Sequence, residues 1–398
     1  MKNLQMKYNL LHFFFWITSC CIFGYVAVFL QYRGLSNSLI GIVSGGGCLG
    51  SLFASPLISG VFEKIKGLTI KKLIITLYIV QAVSFACMAI LPLPTIVTMV
   101  LYIVLYILNI SCVPFLSTLA MDYISAGEEL NFGLSRGMGS VSYAISAVVL
   151  GQLITLTNPS IIFYVFALFS VLFFGILLSL PDVKTSENTK KEKKKDGASA
   201  FSIMKYYPVY FLILLGFGFC VGGSSALGTY LINIVKSLGG STNFYGIAVF
   251  CMAASEMPIM AITPYLLRRF KSEQLLAFAS IAYIARNFLI SLAPNLGILV
   301  FGCVFQSISY GLFLAVITYY VQSHLKQSDQ MMGQSMITMM TTGFGSTLGN
   351  VIGGILQDSL SLSYMLLFAR ILTSIGMVIV VSTVVIYFMK NRVKVSEY

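Results

Sequence analysis

Charge is scarce in this chain. Only 10% of its 398 residues are Asp, Glu, Lys or Arg, and no acidic residue precedes Glu63. A water-soluble domain carries roughly 25% charged residues, so a soluble enzyme of this size would lack the polar surface to stay dissolved. There is one Trp and there are two His. A metal centre, or a nucleophile–base pair built on histidine, has little to draw on. The eight cysteines lie scattered in apolar runs without a CxxC pair, so no zinc site or redox motif is indicated. Each reads as a small packing residue, the vicinal pair Cys20–Cys21 included.

What is abundant is apolar. The chain is 58% hydrophobic, with 30 Phe, 22 Tyr and 34 Gly and a mean hydropathy of +0.90. A membrane-spanning helix needs about 20 mainly apolar residues. Windows of that size fall at 9–31, 38–62, 73–92, 95–123, 134–156, 159–181, 207–234, 245–267, 274–293, 297–322, 331–356 and 362–388. The sequence thus predicts an all-α membrane protein with twelve transmembrane helices. Met1, Lys2 and Lys7 ahead of the first run imitate the start of a signal peptide. That run is too long for one and no small-x-small cleavage site closes it, so it reads as a mature helix.

The net charge of +12 would suit nucleic acid if it were clustered on one soluble face. It is instead distributed by side of the membrane. With a cytoplasmic N-terminus, that side receives Lys2, Lys7, the lysines at 64, 66, 71 and 72, and seven lysines between 184 and 205. It also receives Arg268, Arg269, Lys271, Lys326, Lys390, Arg392 and Lys394. Only Arg33 and Lys236 fall opposite, and Arg136, Arg286 and Arg370 fall at or within spans. The bias predicts a multi-pass protein of the plasma or inner membrane with both termini cytoplasmic. It also accounts for the excess charge, so the expected partners are the lipid bilayer and a small molecule, not nucleic acid; a monomer is expected.

One long hydrophilic segment, Asp182 to Tyr206, holds the charge run Lys190–Asp196, of the kind that stays solvated or lies on an anionic leaflet. It sets the expected domain limits: 1–181 as an N-terminal six-helix bundle, 182–206 as a basic cytoplasmic linker, and 207–398 as a C-terminal six-helix bundle with a short cytoplasmic tail. The halves are weakly self-similar. Gly41-Ile42 and Gly246-Ile247 stand 205 residues apart, and the same offset carries Glu63-Lys64-x-Lys66 onto Arg268-Arg269-x-Lys271. Internal repeats around a basic central loop are a common plan of secondary transporters.

The 6+6 plan, with its long middle loop and basic 2–3 loop, resembles the major facilitator superfamily. Pro56-Leu57-Ile58-Ser59-Gly60-Val61-Phe62-Glu63-Lys64 is similar to that family's 2–3 loop motif, with Glu63, Lys64 and Ser59 where Asp, Arg and Gly are usual. Phe132-Gly133-Leu134-Ser135-Arg136-Gly137-Met138-Gly139 resembles the start of helix five in lactose permease-like oligosaccharide:proton symporters. Ser255-Glu256-Met257-Pro258 and the stretch around Arg286 resemble the phenylpropionate-permease-like and nucleoside-symporter-like groups. The resemblance implies the major facilitator fold of two six-helix bundles, which rock around a central site. It also implies gating at the cytoplasmic loops by Glu63, Lys64, Arg268 and Arg269.

Ionisable side chains at mid-membrane cost several kcal/mol and usually face a cavity and a partner. Away from the loops these are Asp122, Arg136, Glu256, Arg286 and Arg370, with His12 and Gln306 as polar neutrals. Glu256 is twelve residues from Phe244 and twelve from Arg268, about 18 Å from either end at 1.5 Å per residue. Arg286, on the next and antiparallel span, reaches a similar depth. The two could form an ion pair in which the Glu carries a proton, because desolvation raises a carboxyl pKa and a neighbouring Arg lowers it. A fixed pair that only clamps two helices is the alternative.

Asp122 and Arg136 flank the 4–5 loop symmetrically, roughly 10 Å in. In the lactose permease-like symporters an acid on helix four and an Arg on helix five bind the sugar, and Arg136 matches that Arg by its Phe-Gly-x-x-Arg context. Asp122 sits about one turn nearer the cytoplasm than that acid, and Thr118 holds the deeper position, so a cytoplasmic salt-bridge gate is the alternative for this pair. Those symporters also place a His/acid proton site on helix ten. Here that span has only Gln306 and, past its inner end, His324, which leaves Glu256 as the candidate proton carrier.

The remaining features favour packing. Gly345, Gly349 and Gly353 are four apart and make one smooth helix face, whereas Gly45-Gly46-Gly47 and Gly50 lack the Lys-Ser/Thr of a phosphate loop. Trp16 is a core or lipid-facing aromatic that could also stack on a sugar. Arg370 is expected to snorkel outward.

The expectation is therefore a secondary active transporter, not an enzyme, without cofactor but with a proton as coupling ion. It takes up a small polar solute such as a sugar or glycoside by alternating access. Arg136, Asp122, Gln306 and Trp16 are the candidate substrate contacts, and Glu256 and Arg286 the proton-coupling pair. The alternatives are drug or metabolite efflux by proton antiport, which would prefer an acid on span 1, and nucleoside or aromatic-acid uptake.

Overall fold

The computed structural model describes residues 3–65, 68–181 and 200–396, with the side chains of 63–64 and 391–396 excepted. The side chains of the expected gating residues Glu63 and Lys64, together with Lys66 and the charge run Lys190–Asp196, therefore lie outside what it describes. No strand occurs among the described residues. Ten helices are long and apolar enough to cross a membrane, and a bent pair, Leu4–Gly24 with Val26–Tyr32 at 52°, forms an eleventh span. The expected eleventh span along the chain is also helical, through Gln330–Thr338, a π-helical stretch Met339–Ser346 and Thr347–Ser359. Its Thr341, Thr342, Ser346, Thr347, Asn350 and interspersed glycines dilute its hydropathy. Counted with it, the spans number twelve, and they are numbered below in chain order.

Local sequence explains where several spans begin. Ser36, Thr69, Asn131 and Asn295 stand just before spans 2, 3, 5 and 10, and each side-chain oxygen accepts from the backbone N–H three residues on. These polar caps satisfy orphan amide donors at the helix starts. The described part of the expected linker is not all irregular: Ala200–Tyr206 is a short helix with Ile203 fully buried.

By internal packing the chain forms two compact units, Met1–Lys194 with Gly240–Ala254, and Lys195–Gly239 with Ser255–Tyr398. Span 8, Thr242–Arg269, is thus divided at Ala254–Ser255. Pro258 removes the amide that would bond to the Ala254 carbonyl, which loosens the helix at that point. In the first unit span 1 packs on spans 5 and 6, span 3 on spans 4 and 6, and span 2 on span 4. In the second unit span 7 packs on spans 11 and 12, and span 9 on spans 10 and 12. The partners of spans 1 and 3 recur as those of spans 7 and 9 with a shift of six spans, as an internal duplication requires.

Two tyrosines make the repeat concrete. Span 1 breaks after a π-helical turn, Cys20–Gly24, at Tyr25, and span 7 breaks at Tyr230, between Pro208–Thr229 and Leu231–Ser237. The two positions are 205 residues apart, the offset found in the sequence. Tyr25 donates its hydroxyl hydrogen bond to the Ala147 carbonyl of span 5, and Tyr230 donates to the Asn350 carbonyl of span 11 at 2.9 Å.

Glycine faces set the closest approaches. In the second unit a side chain at Gly345 or Gly349 would meet the carbonyls of Gly218 and Gly222 in span 7, and one at Gly353 would meet Ala226. The four-residue glycine spacing is thus a helix-packing face. In the first unit Gly46, Gly47 and Gly50 do the same against Ile103, Tyr106 and Ile107 of span 4.

Candidate functional site

In the first unit the polar centre is built on span 1. Trp16, on the turn after His12, lies with its ring under the Arg136 guanidinium, whose Cζ is 4.4 Å from the ring centroid, within cation–π range. Gly139, one turn beyond Arg136, has no side chain because the Trp16 ring occupies that space. Arg136 Nη1 also donates to Ser140 Oγ at 3.1 Å, and the Tyr143 ring meets Trp16 edge-on at 6.2 Å. The result is a half-buried indole face with a cation above it. The indole Nε1 is buried without a hydrogen-bond partner. His12 is deeply buried; its Nε2 contacts the Tyr8 hydroxyl at 3.2 Å and its Nδ1 has no partner. Asp122 sits half-buried in the last turn of span 4.

In the second unit the centre joins spans 8, 9 and 10. Glu256 is half-buried, and its Oε1 accepts from Gln306 Nε2 at 2.8 Å. Gln306 stands where span 10 passes from Leu296–Val304 into the π-helical turn Ser307–Gly311. Gly311 lets span 10 approach span 8 closely here, because a Cβ there would lie 2.9 Å from Ile259 Cγ2. Arg286 is 2% exposed. Its Nη1 donates to Asn287 Oδ1 at 3.3 Å, its Nε has no partner, and Glu256 acts on it electrostatically. Asn287 anchors this region to two further spans, donating to Thr373 Oγ1 at 2.7 Å and accepting from Ser224 Oγ at 3.1 Å.

Of the residues singled out in the sequence, Trp16 thus comes together with Arg136, and Glu256 with Gln306, while Arg286 lies on the buried face of span 9. Arg268 and Arg269 are exposed at the end of span 8, Arg269 over the Tyr265 ring at 5.0 Å. Arg370 does not simply snorkel: its Cζ lies 5.9 Å from the Phe288 ring centroid and its Nε is buried without a partner. Among the described residues no group of His, Cys, Asp and Glu could hold a metal ion.

Five residues escaped the sequence reading in whole or in part. Ser140 and Tyr143 were concealed in an ordinary-looking span 5. Tyr283 and Asn287 were signalled only by helical spacing, since Ser280, Tyr283, Arg286, Asn287 and Ser291 all lie on the buried face of span 9. His324 is more than an interfacial residue: its Nε2 pairs with Glu273 at 3.3 Å, and its ring stacks on Tyr320 at 4.0 Å. Glu273 opens span 9 and His324 ends span 10, so the pair ties two helix ends together.

A family model described as MFS_1 like family matches residues 5–368. Maltose permease from Geobacillus stearothermophilus is 23% identical over 376 residues, covering 94% of this chain and 92% of that one. The uncharacterized transporter YwbF from Bacillus subtilis (strain 168) is 21% identical over 393 residues, 94% of each chain. A crystal structure of a variant of the nucleoside transporter NupG superposes with a TM-score of 0.80 at 16% identity, covering 96% of this chain and 99% of that one. At that identity the superposition speaks to the fold alone.

Proposed function

Because the chain belongs to the MFS_1 like family, a membrane transporter family and not an enzyme family, we propose that it imports a neutral polar solute, a sugar or glycoside, together with a proton by alternating access. The observation that carries this reading is the Glu256 carboxylate, mid-span, held by the amide of Gln306. An amide both donates and accepts, so it can bond a carboxylate or, turned over, a protonated carboxyl. Such a partner lets the proton arrive and leave at little cost, whereas a direct arginine pair would hold the carboxyl ionised.

The sugar assignment rests on chemistry in the first unit and on the maltose permease likeness. An indole face suits the C–H face of a pyranose, while the guanidinium above it offers hydrogen bonds to hydroxyls. In this reading Trp16 and Arg136 contact substrate, Asp122 supports them from span 4, Arg268 and Arg269 serve the cytoplasmic gate, and both termini face the cytoplasm of a cell-membrane protein.

The test is uptake by proteoliposomes offered maltose, a ribonucleoside or an aromatic acid, with and without an inward proton gradient. Maltose should accumulate only with the gradient. Glu256→Gln should abolish accumulation while leaving solute exchange down its gradient. Accumulation by that variant sinks the proton role, and selective accumulation of the nucleoside sinks the sugar assignment.

A further inference from the structure

We infer that Gln5 and Asn9 are positioning residues for the Trp16–Arg136 pair. Their amides fix the register of span 1 on span 5, and that register holds the indole under the guanidinium. The inference rests on the reading of Trp16 and Arg136 as substrate contacts and specifies what keeps the two together.

On span 1, Gln5, Asn9, His12 and Trp16 follow one another at steps of four, three and four residues, which puts them on one side of the helix. At the first of these turns Gln5 grips the entry of span 5. Its Oε1 accepts from the Asn131 backbone N–H at 2.6 Å. Its Nε2 has two hydrogens to share among Asn9 Oδ1 at 2.7 Å, Ser135 Oγ at 3.1 Å and the Asn131 carbonyl at 3.3 Å. Ser135, fully buried, donates in turn to Asn9 Oδ1 at 2.6 Å. Two side chains of span 1 are thereby bonded to the first turn of span 5 and to the residue that caps it.

Trp16 has no hold of this kind. Its Nε1 makes no hydrogen bond, so the ring is placed by shape alone, in the notch at Gly139 and against the edge of Tyr143. A notch receives a ring only while the two helices keep their register. A slip of one residue moves a side chain 1.5 Å along the axis and about 100° around it. The register is pinned on both sides of Trp16. Seven residues before it stands Asn9 on Ser135, and nine residues after it the Tyr25 hydroxyl on the Ala147 carbonyl. Other ties near the start of span 1 run to other helices: Lys7 Nζ donates to the Ser179 carbonyl of span 6 at 2.8 Å, and the Tyr8 hydroxyl to the Leu116 carbonyl of span 4 at 2.6 Å. Loss of the Gln5–Asn9 network therefore frees span 1 on its span 5 side while those ties still hold it in the unit.

Trp16 is the only tryptophan in the chain, so tryptophan-selective fluorescence of the purified protein reads this ring with no solute present. Gln5→Met removes the amide at similar volume, and Asn9→Leu removes the acceptor shared by Gln5 and Ser135. Each should move the emission to longer wavelength and increase its quenching by acrylamide, as the half-buried ring leaves its notch. Each should also raise the KM for maltose uptake about 2- to 5-fold, with kcat per folded molecule little changed. Lys7→Met, which frees the same stretch of helix from span 6, should leave the spectrum as it is. Either network variant serves alone if the other does not fold. An unmoved spectrum in the network variants overturns the inference and leaves Trp16 as a substrate contact. An equal shift in Lys7→Met also overturns it, because any loosening of span 1 would then suffice. A shifted spectrum with a wild-type KM upholds the positioning and removes Trp16 from the substrate site.

Discussion

Gly139 tests the first-unit centre more cleanly than Arg136 itself, because it has no chemistry of its own. A Cβ placed there would lie 2.6 Å from Trp16 Nε1 and 3.0 Å from Cγ, where ordinary contact is about 3.5–4.0 Å. Trp16 Cδ1 would be closer still, so with alanine the ring must retreat by more than about 1 Å, which still leaves Arg136 within cation–π reach of about 6 Å. With leucine the ring is expelled. A cation–π pair is worth about 0.5–2 kcal/mol, and each 1.4 kcal/mol is tenfold. Gly139→Ala should therefore raise the KM for uptake about 2-fold, and Gly139→Leu up to about 30-fold, with kcat per folded molecule little changed. Overpacking also costs stability, about 1–3 kcal/mol, but that loss appears in Tm and yield rather than KM. In an Arg136→Ala background the KM effect of Gly139→Leu should shrink to the loss of the ring's own contact with the solute, since the cation–π pair is already gone. A wild-type KM for Gly139→Leu, or its full effect in that background, refutes the role given to Trp16 and Arg136.

Two further outcomes concern the scaffold. Gly349→Leu drives a side chain into the Gly222 carbonyl, where backbone cannot yield, and should lower the Tm in detergent by more than Gly353→Ala, whose Cβ faces the Ala226 methyl at 3.1 Å; equal shifts would refute the close-packing account of this face. Tyr230→Phe leaves the Asn350 carbonyl without its hydroxyl partner at the break in span 7, costing about 1–3 kcal/mol, and hydrogen exchange should rise around the break rather than across the unit.

The fold was legible because its cause is compositional. Apolar runs of spanning length and lysines on one side of them give the number and order of the helices without any knowledge of packing. What escaped was wherever a helix departs from the regular form. Nothing in Cys-Cys-Ile-Phe-Gly announces a π-helical turn, and Tyr25 and Tyr230 look like any interfacial tyrosine until both hydroxyls are seen on carbonyls of the fifth span of their own half. Their shared 205-residue offset was available in the sequence. It goes unnoticed because a hydrogen bond to backbone imposes no side-chain identity on the partner, and Ala147 and Asn350 share nothing that a sequence comparison would align.

The site was legible to the level of depth and not beyond it. Counting residues along a helix places Glu256 and Arg286 at matching heights, but height leaves the angle around each helix axis open, and the angle decides the partner. Glu256 accordingly bonds Gln306 from the next span but one, and Arg286 bonds its own neighbour Asn287. Depth alone favours the pairing of opposite charges, because mid-membrane charge is costly. The structure instead bonds an amide to the carboxylate, and the buried guanidinium keeps an unmet Nε. A permanent Glu–Arg clamp would satisfy both charges and fix the carboxyl as ionised. The amide bond to Glu256 is therefore the observation on which the proposed proton role rests, and Glu256→Gln is the variant that decides it.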